Sequence, residues 1–192
     1  MGLMVADLMA GDKEATHQDT GKVDLTTTAA IRLLLDRAAT VDEAISLLSQ
    51  YDMHSSIESA HHLSITDKSG KSVVVEYISG EMYVTETNIV TNHYLTEGEK
   101  HSIGSEQSHL RFDTLKMALE STDGVMDNLE LVDTMKSVAQ LNYPKTEGSY
   151  EKTMWTGVYN PEALIVDFYF GENYEHCYST ELVSKSWGWI VK

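Results

Sequence analysis

The sequence predicts an α+β fold, in which helices and strands occupy separate blocks of the chain. Apolar residues recur at helical spacing from residue 29 to about residue 51, and the spacing changes to two from residue 62 onward. Two more helical segments and a closing pair of strands follow. Because helices and strands do not alternate, the pattern favours a layered α+β arrangement over a parallel α/β sheet. A single domain covering residues 1–192 is the simplest interpretation.

The chain is predicted to begin with a strand and a polar loop, and two helices follow. Thr40 and Glu43 have the spacing of a capping box, in which each side chain binds a free backbone N–H, so they predict the start of the second helix. Apolar residues on both sides of Thr40 recur every three or four positions, as a helix requires. The predicted elements are a strand over residues 3–10, a loop over 12–24, and helices over 29–38 and from 41 to about 51.

Strands dominate the next segment, where apolar and polar residues alternate. Residues 67–70 are typical of a hairpin turn, with glycine at the position where a positive φ angle costs least. Ser79 and Gly80 mark a second turn. The predicted strands cover residues 62–67, 72–78, 81–85 and 88–91.

The remaining residues predict two helices and then two strands. Phe112, Leu115 and Leu119 lie on one face of the first of these helices. Asp127 and Glu130 have the spacing of a helix-capping pair and predict the start of the second. The closing strands are predicted over residues 153–159 and 163–170.

Charge and composition exclude several classes of function. The chain has 14 Lys and Arg residues against 30 Asp and Glu, a net charge of −16, so it lacks the basic surface that nucleic acids or anionic membranes require. No apolar run reaches the roughly 20 residues that span a bilayer. Cys177 is the single cysteine, which rules out an internal disulfide and fits a reducing compartment. A cytoplasmic protein is therefore expected.

The most informative segment joins the predicted fourth strand to the third helix. Asn92 follows the run Ile89-Val90-Thr91, and Arg111 lies in the sequence Ser-His-Leu-Arg-Phe-Asp, which predicts the first turn of a helix. A cation in the first turn opposes the helix dipole, so another group is expected to hold Arg111. Upstream of both, the chain contains Gly-Leu-Met directly after its first residue and Ala-Ile-Arg-Leu-Leu-Leu-Asp in the first helix.

These motifs, in this order, resemble the second half of the choloylglycine hydrolase family, which includes penicillin V acylases and bile salt hydrolases. The resemblance implies the C-terminal part of a four-layer αββα sandwich, the fold of the N-terminal-nucleophile hydrolases. It also implies cleavage of a linear amide by an N-terminal cysteine thiol, activated by its own α-amino group. This chain instead starts Met1-Gly2-Leu3. It is interpreted as a domain truncated at its amino terminus and is expected to be inactive alone.

The resemblance assigns roles to three residues. It implies that the side-chain NH₂ of Asn92 and the backbone N–H of Met9 stabilise the oxyanion, and that Arg111 lies beside the nucleophile. Relatives carry Asn or Tyr where this chain has Met9. A backbone donor tolerates that change, but the substrate pocket loses a polar or aromatic group, which weighs against bile salts among the candidate substrates.

Each of these residues also has an interpretation without catalysis. Asn92 would then cap a turn after its strand. Arg111 would be a solvated side chain or one half of an ion pair. Met9 would fill the hydrophobic core.

Other reactive residues are interpreted as structural. Cys177 has no oxyanion donor near it in the sequence, and free cysteine is usually a small buried apolar residue. His61 and His62 are neighbours on a strand and point to opposite faces, and with His54 they match no metal-binding spacing. No metal or organic cofactor is expected.

The sequence therefore predicts an amidohydrolase that acts on a small-molecule N-acyl amide, such as penicillin V or a conjugated bile acid, and that forms a homo-oligomer. Two alternatives stay open. One is a non-catalytic remnant or interaction module with the same fold, and the other is an acyltransferase relative that moves the acyl group onto an amine.

Overall fold

The computed structural model describes residues 2–141, 143–146 and 149–182 of the chain. The chain divides into two compact units, residues 1–112 and residues 113–192. Compact units are not the same as domains, so the expectation of a single domain stays a prediction. The helices are α1 (Thr27–Arg37), α2 (Val41–Leu48), α3 (Glu106–Ser121) and α4 (Asn128–Ser137). The strands are β1 (Met4–Met9), β2 (Val23–Thr26), β3 (Tyr51–His54), β4 (His61–Thr66), β5 (Ser72–Ile78), β6 (Glu81–Glu86), β7 (Tyr143–Thr146), β8 (Ser149–Glu151), β9 (Trp155–Asn160), β10 (Ile165–Phe170) and β11 (Tyr178–Glu181).

The first unit is built on an antiparallel four-stranded sheet with the order β1-β4-β5-β6. One face of this sheet packs against α1 and α2, and the apolar side chains between them are almost completely buried. Burial of this apolar area is the main source of stability for the unit. The core residues from the helices and the two central strands include Ala30, Leu34, Val41, Ala44, Leu48, Leu63, Ile65, Val73, Val75 and Tyr77.

Both predicted helices of this unit are present, and α2 starts at the predicted residue 41, while α1 starts at Thr27, two residues before the predicted start. Thr26 caps α1 by accepting the N–H of Ala29, and the Thr40 side chain caps α2 by accepting the N–H of Glu43. The reciprocal bond of the predicted capping box is shifted by one residue, because the Glu43 carboxylate accepts the N–H of Ala39. The second helix ends at Leu48, before the predicted end. Two residues after its cap the chain enters β3, which pairs in parallel with β2.

The predicted strands over 62–67, 72–78 and 81–85 correspond to β4, β5 and β6. The predicted strand over residues 88–91 is wrong. β6 ends at Glu86, and the Thr87 hydroxyl then bonds both the carbonyl and the N–H of Ile89, at 2.9 and 3.1 Å. Because these local bonds occupy backbone groups that a sheet ladder would use, the segment leaves the sheet.

The second unit contains the end of α3, the helix α4, the strand pair β7–β8 and the three-stranded sheet β11-β10-β9. The predicted capping box is complete in α4, since Asp127 accepts two backbone N–H groups and Glu130 accepts the N–H of Asp127. The last two predicted strands correspond to β9 and β10. The sequence did not predict β2, β3, β7, β8 or β11, all of which have only three or four residues.

The mixture of segregated helices and antiparallel strands confirms the predicted α+β class. In the described part of the chain, no helix combines the length and apolar character needed to cross a bilayer.

Candidate active site

The structure brings the three predicted site residues together in the first unit. The side-chain Nδ2 of Asn92 donates to the carbonyl oxygen of Met9 at 2.8 Å, and Nη2 of Arg111 donates to Oδ1 of Asn92 at 2.7 Å. A continuous row of hydrogen bonds therefore joins a guanidinium, a carboxamide and the end of strand β1. The row establishes the arrangement, while the catalytic roles of the three residues stay predictions.

The partners of Asn92 fix the orientation of its amide. A guanidinium only donates hydrogen bonds and a carbonyl only accepts them, so Oδ1 must face Arg111 and Nδ2 must face Met9. Within the described residues, the Met9 carbonyl is the one acceptor bound to Nδ2. The second hydrogen of Nδ2 is left for another acceptor. Asn92 does not cap a local turn, because its side chain bonds a residue 83 positions away.

Met9 presents its backbone to the open edge of the sheet. The N–H of the next residue, Ala10, donates to the carbonyl of Ala60 at 2.9 Å. Hydrogen-bonded and non-bonded pairs alternate along an antiparallel ladder, so Met9 and its partner His61 form a non-bonded pair. The N–H and C=O of Met9 consequently point away from β4, to the side where Asn92 lies. The Met9 side chain is 49% exposed, so the core-packing interpretation is wrong.

The backbone of Asn92 is held as closely as its side chain. Its N–H donates to Oγ of the buried Ser108 at 2.7 Å. Its carbonyl oxygen lies against two glycines. A Cβ atom would come within 3.0 Å of this oxygen if added to Gly11 and within 2.7 Å if added to Gly104. The Gly104 Cβ would also lie 2.3 Å from the Cβ of His93, so only glycine fits there.

Arg111 lies in the second turn of α3, because the helix begins at Glu106. The prediction that Arg111 lies in the first turn is therefore wrong. The helix dipole acts mainly on the first turn, so the environment of Arg111 is described by its contacts instead. Its contacts are the Asn92 carboxamide oxygen and a longer bond, 3.4 Å, to the carbonyl of Gln107. No described carboxylate forms an ion pair with it. Burial lowers the pKa of Arg111 below its ordinary value. It is therefore a half-buried cation whose charge no described group neutralises.

His93, the residue after Asn92, contacts buried hydroxyl groups. Nδ1 of His93 lies 2.9 Å from Ser108 Oγ and 3.1 Å from Thr91 Oγ1, and its ring lies against the His109 ring at a tilt of 32°, with centroids 4.1 Å apart. Burial, together with electrostatic interaction with His109 and His62, lowers the pKa of His93 to about 4. The His93 ring is consequently uncharged at neutral pH, so Arg111 is the cation in direct contact with Asn92.

Sequence reasoning missed the residues that support Asn92 from behind. His62 and Glu76, from β4 and β5, contact the segment that carries Asn92, and Ser108 binds its N–H. The sequence could have indicated a role for Glu76, because a single carboxylate interrupts the apolar strand Ser72–Ile78 and a buried carboxylate needs a partner. Ser108 had none, since a serine near a helix start is common.

The histidines and the cysteine that were interpreted as structural are not among the three predicted site residues. His61 and His62 point to opposite faces, as predicted, and contact Asp7 and Glu76 respectively. Among the described residues no cluster of side chains could hold a metal ion. Cys177 is a partly buried free thiol in the second unit.

Comparisons with known structures identify the fold. Two variants of the conjugated bile acid hydrolase from Clostridium perfringens are similar to this chain, with TM-scores of 0.72 and 0.70 at 16% and 17% sequence identity. Each match covers 94% of this chain and 70% of that one. The penicillin V acylase from Agrobacterium tumefaciens has a TM-score of 0.63 at 19% identity, over 94% of this chain and 63% of its own. The predicted acylase-like N-terminal-nucleophile hydrolase fold is confirmed.

A family comparison covers the greater part of the sequence. The model of the family described as acyl-coenzyme A:6-aminopenicillanic acid acyl-transferase matches residues 16–175, a range that includes Asn92 and Arg111. No curated protein matches the chain. The relationship suggested by the motifs is thereby confirmed, and the chain belongs to the acyl-coenzyme A:6-aminopenicillanic acid acyl-transferase family.

Proposed function

We propose that this chain carries the oxyanion-binding part of an enzyme that cleaves a linear amide through an acyl-enzyme intermediate. The observation that supports this most directly is the hydrogen-bonded row from Arg111 through Asn92 to Met9. A carboxamide whose oxygen and one hydrogen are already bound cannot rotate freely. Its remaining N–H is therefore a preorganised donor, which is the property that oxyanion stabilisation requires.

The proposed reaction starts when a cysteine thiolate attacks the carbonyl carbon of the substrate amide. The carbonyl oxygen takes the negative charge, and the second Nδ2 hydrogen of Asn92 and the N–H of Met9 donate to it. Collapse of this intermediate breaks the C–N bond, and the α-amino group of the cysteine passes the former thiol proton to the departing amine. Water then attacks the thioester, releases the carboxylic acid and restores the thiol.

Arg111 supplies positive charge to this reaction. The chain has a net charge of −16, so a cation whose charge no described carboxylate neutralises stands out at the site. In a partly buried position its attraction for an anion is stronger than in water. We assign it two tasks, which are to hold Oδ1 of Asn92 and to stabilise the neighbouring thiolate.

The nucleophile is proposed to be an N-terminal cysteine outside residues 1–192. The hydroxyl that binds the Asn92 N–H belongs to Ser108, which is fully buried and bonded to Thr91 as well, so a substrate cannot reach it. The matches cover 63–70% of the similar acylase structures, which leaves length in those structures that this chain does not match.

Acyl transfer is the second candidate, and the description of the matching family favours it. The same thioester serves both reactions, because either water or an amine can attack it. The two differ only in the acceptor. Product analysis with added 6-aminopenicillanic acid distinguishes them, since transfer forms a new amide and hydrolysis forms only the free acid.

The test uses the complete protein and a panel of penicillin V, conjugated bile acids and N-acyl amino acids. Asn92→Ala and Asn92→Asp are both expected to lower kcat by ~10²–10³, because each removes the N–H donor while the aspartate keeps the shape. Asn88→Ala is the matched control, since Asn88 is exposed and lies four residues earlier. Parental kcat in Asn92→Asp would exclude the oxyanion role.

Residues 1–192 alone are expected to turn over none of these amides, and activity is expected on addition of a segment that starts with cysteine. Turnover by residues 1–192 alone that disappears in Asn92→Ala would place the nucleophile within this chain.

A further inference from the structure

The face of the sheet opposite α1 and α2 contains a buried ion pair. His62 on β4 and Glu76 on β5 are direct cross-strand partners, and both side chains are 0% exposed. His62 Nδ1 lies 3.0 Å from Glu76 Oε1. A buried ion pair gives little net stability, because the attraction has to offset the loss of hydration of both groups. Stability alone is therefore a weak reason for charges in this place.

Both members of the pair bind the segment 91–96, which carries Asn92. The Glu76 carboxylate accepts the N–H of Leu95 at 3.0 Å and the N–H of Thr96 at 2.7 Å. Nε2 of His62 lies 2.9 Å from the carbonyl oxygen of Thr91. The pair thus holds the chain immediately before Asn92 and again three residues after it.

The contacts also define how the pair is hydrogen-bonded. Burial alone would raise the pKa of Glu76, but hydrogen bonds from His62 and from the N–H groups of Leu95 and Thr96 outweigh it and lower that pKa. A carbonyl oxygen only accepts, so Nε2 of His62 donates to Thr91, and Nδ1 shares a proton with Glu76 Oε1.

We propose that His62 and Glu76 are positioning residues that fix the segment 91–96 so that the Asn92 amide reaches Met9 and Arg111. This inference rests on the proposed oxyanion role of Asn92. Neither residue touches the substrate. Directional bonds to named backbone groups set the register of the segment, which apolar contacts of the same size would not do. An oxyanion donor needs placement to about half an ångström, so the pair contributes through geometry.

The main test compares Glu76→Leu with Val75→Ala in the complete protein. Val75 is the neighbouring buried residue on β5, and its side chain lies in the core on the opposite face. Glu76→Leu is expected to lower kcat by ~10–100-fold with a smaller change in KM, to shift the NMR signals of the Asn92 side-chain amide, and to speed hydrogen exchange at Leu95 and Thr96. Val75→Ala is expected to do none of these, although it also removes packing.

A conservative variant sharpens the test. In Glu76→Gln the amide oxygen can still accept from Thr96, while its NH₂ can donate to a neutral His62 that keeps its bond to Thr91. This variant is expected to restore the Asn92 signals and most of kcat. Unchanged Asn92 signals and exchange rates in folded Glu76→Leu would overturn the positioning role. If the proposed oxyanion role of Asn92 were wrong, the Asn92→Ala variant would instead keep the parental kcat.

One measurement needs no variant and covers the case in which Glu76→Leu does not fold. In ¹⁵N spectra of the parent protein, Nε2 of His62 is expected to carry a bonded hydrogen, because it faces the Thr91 carbonyl oxygen. A bare Nε2 would overturn the proposed arrangement, because its contact with Thr91 could not then be a hydrogen bond.

Discussion

Strands β4 and β5 present one face to helices α1 and α2 and the other to the segment 91–96, and the two faces differ in chemistry. On the helix side, Leu63, Ile65 and Val75 are at most 1% exposed and belong to the apolar core. On the other side, His62 and Glu76 are equally buried but are polar and hydrogen-bonded. Alternation along a strand lets adjacent residues serve these two purposes.

The difference shows how one sheet separates stability from placement. Apolar contacts on the helix side contribute free energy in proportion to buried area and tolerate small shifts. Bonds on the segment side have fixed partners and fixed lengths, so a shift of one residue would break all of them. The helix side supports the fold, and the segment side determines where Asn92 lies.

The largest effect is expected when the carboxylate of the polar face is removed. Glu76→Leu is expected to lower the free energy of unfolding by ~3–5 kcal/mol, because it breaks a buried pair and leaves the N–H groups of Leu95 and Thr96 without their acceptor. Urea unfolding of parent and variant measures this difference. A change below about 1 kcal/mol would contradict the contrast drawn between the two faces.

A second prediction concerns acid and the same polar surroundings. The pKa of His93 is lowered to about 4 in the fold, below the ordinary value of 6.5, so the unfolded chain binds a proton more readily. Stability is therefore expected to fall as pH drops from about 6.5 to about 4, by ~2–3 kcal/mol, and this contribution stops changing below that range.

The control for this pH effect is His93→Gln, which should lack that part of the slope. The lowered pKa of Glu76 acts in the same direction but in a lower window, since its stabilisation is present above the ordinary carboxyl pKa and is lost as pH falls through the folded value. Parallel pH curves for parent and His93→Gln between pH 4 and pH 6.5 would contradict the assignment.

The smallest effect is expected on the apolar face. Ile65→Val removes one methyl group from a fully buried position and should cost ~0.5–1.5 kcal/mol, with kcat unchanged. Thermal unfolding and the amidase assay together check it. A drop in kcat comparable with that of Glu76→Leu would show that the two faces are not independent.

The periodic elements could be predicted from the sequence because their signals are local. Helix α1 follows from apolar spacing, α2 from spacing and the Thr40 cap, and strands β4, β5 and β6 from turns and alternation. The pair β2–β3 could not, because each strand has four residues and they pair in parallel across the intervening helices. Residues 88–91 were wrongly predicted as a strand, because an apolar pattern carries no information on the Thr87 hydroxyl, which bonds the backbone of Ile89.

The residues of the candidate site also differ in how far the sequence could predict them. Asn92, Arg111 and Met9 were grouped only through resemblance to a family, since periodicity carries no information on contacts between residues 83 positions apart. The buried pair behind Asn92 was missed, although Glu76 in an apolar strand was a visible exception to binary patterning. A buried carboxylate that breaks such a pattern indicates a structural partner elsewhere in the chain.

Met9 takes part in the site through its main chain, while its side chain is half exposed at the end of β1. Donor and acceptor atoms of the backbone are common to every residue except proline, which lacks the N–H. Position 9 can therefore be varied in a library without removing the proposed oxyanion donor, and the variants would differ in the surface they offer to a substrate. If the proposed role is correct, catalytic geometry and substrate choice can evolve separately at this one residue.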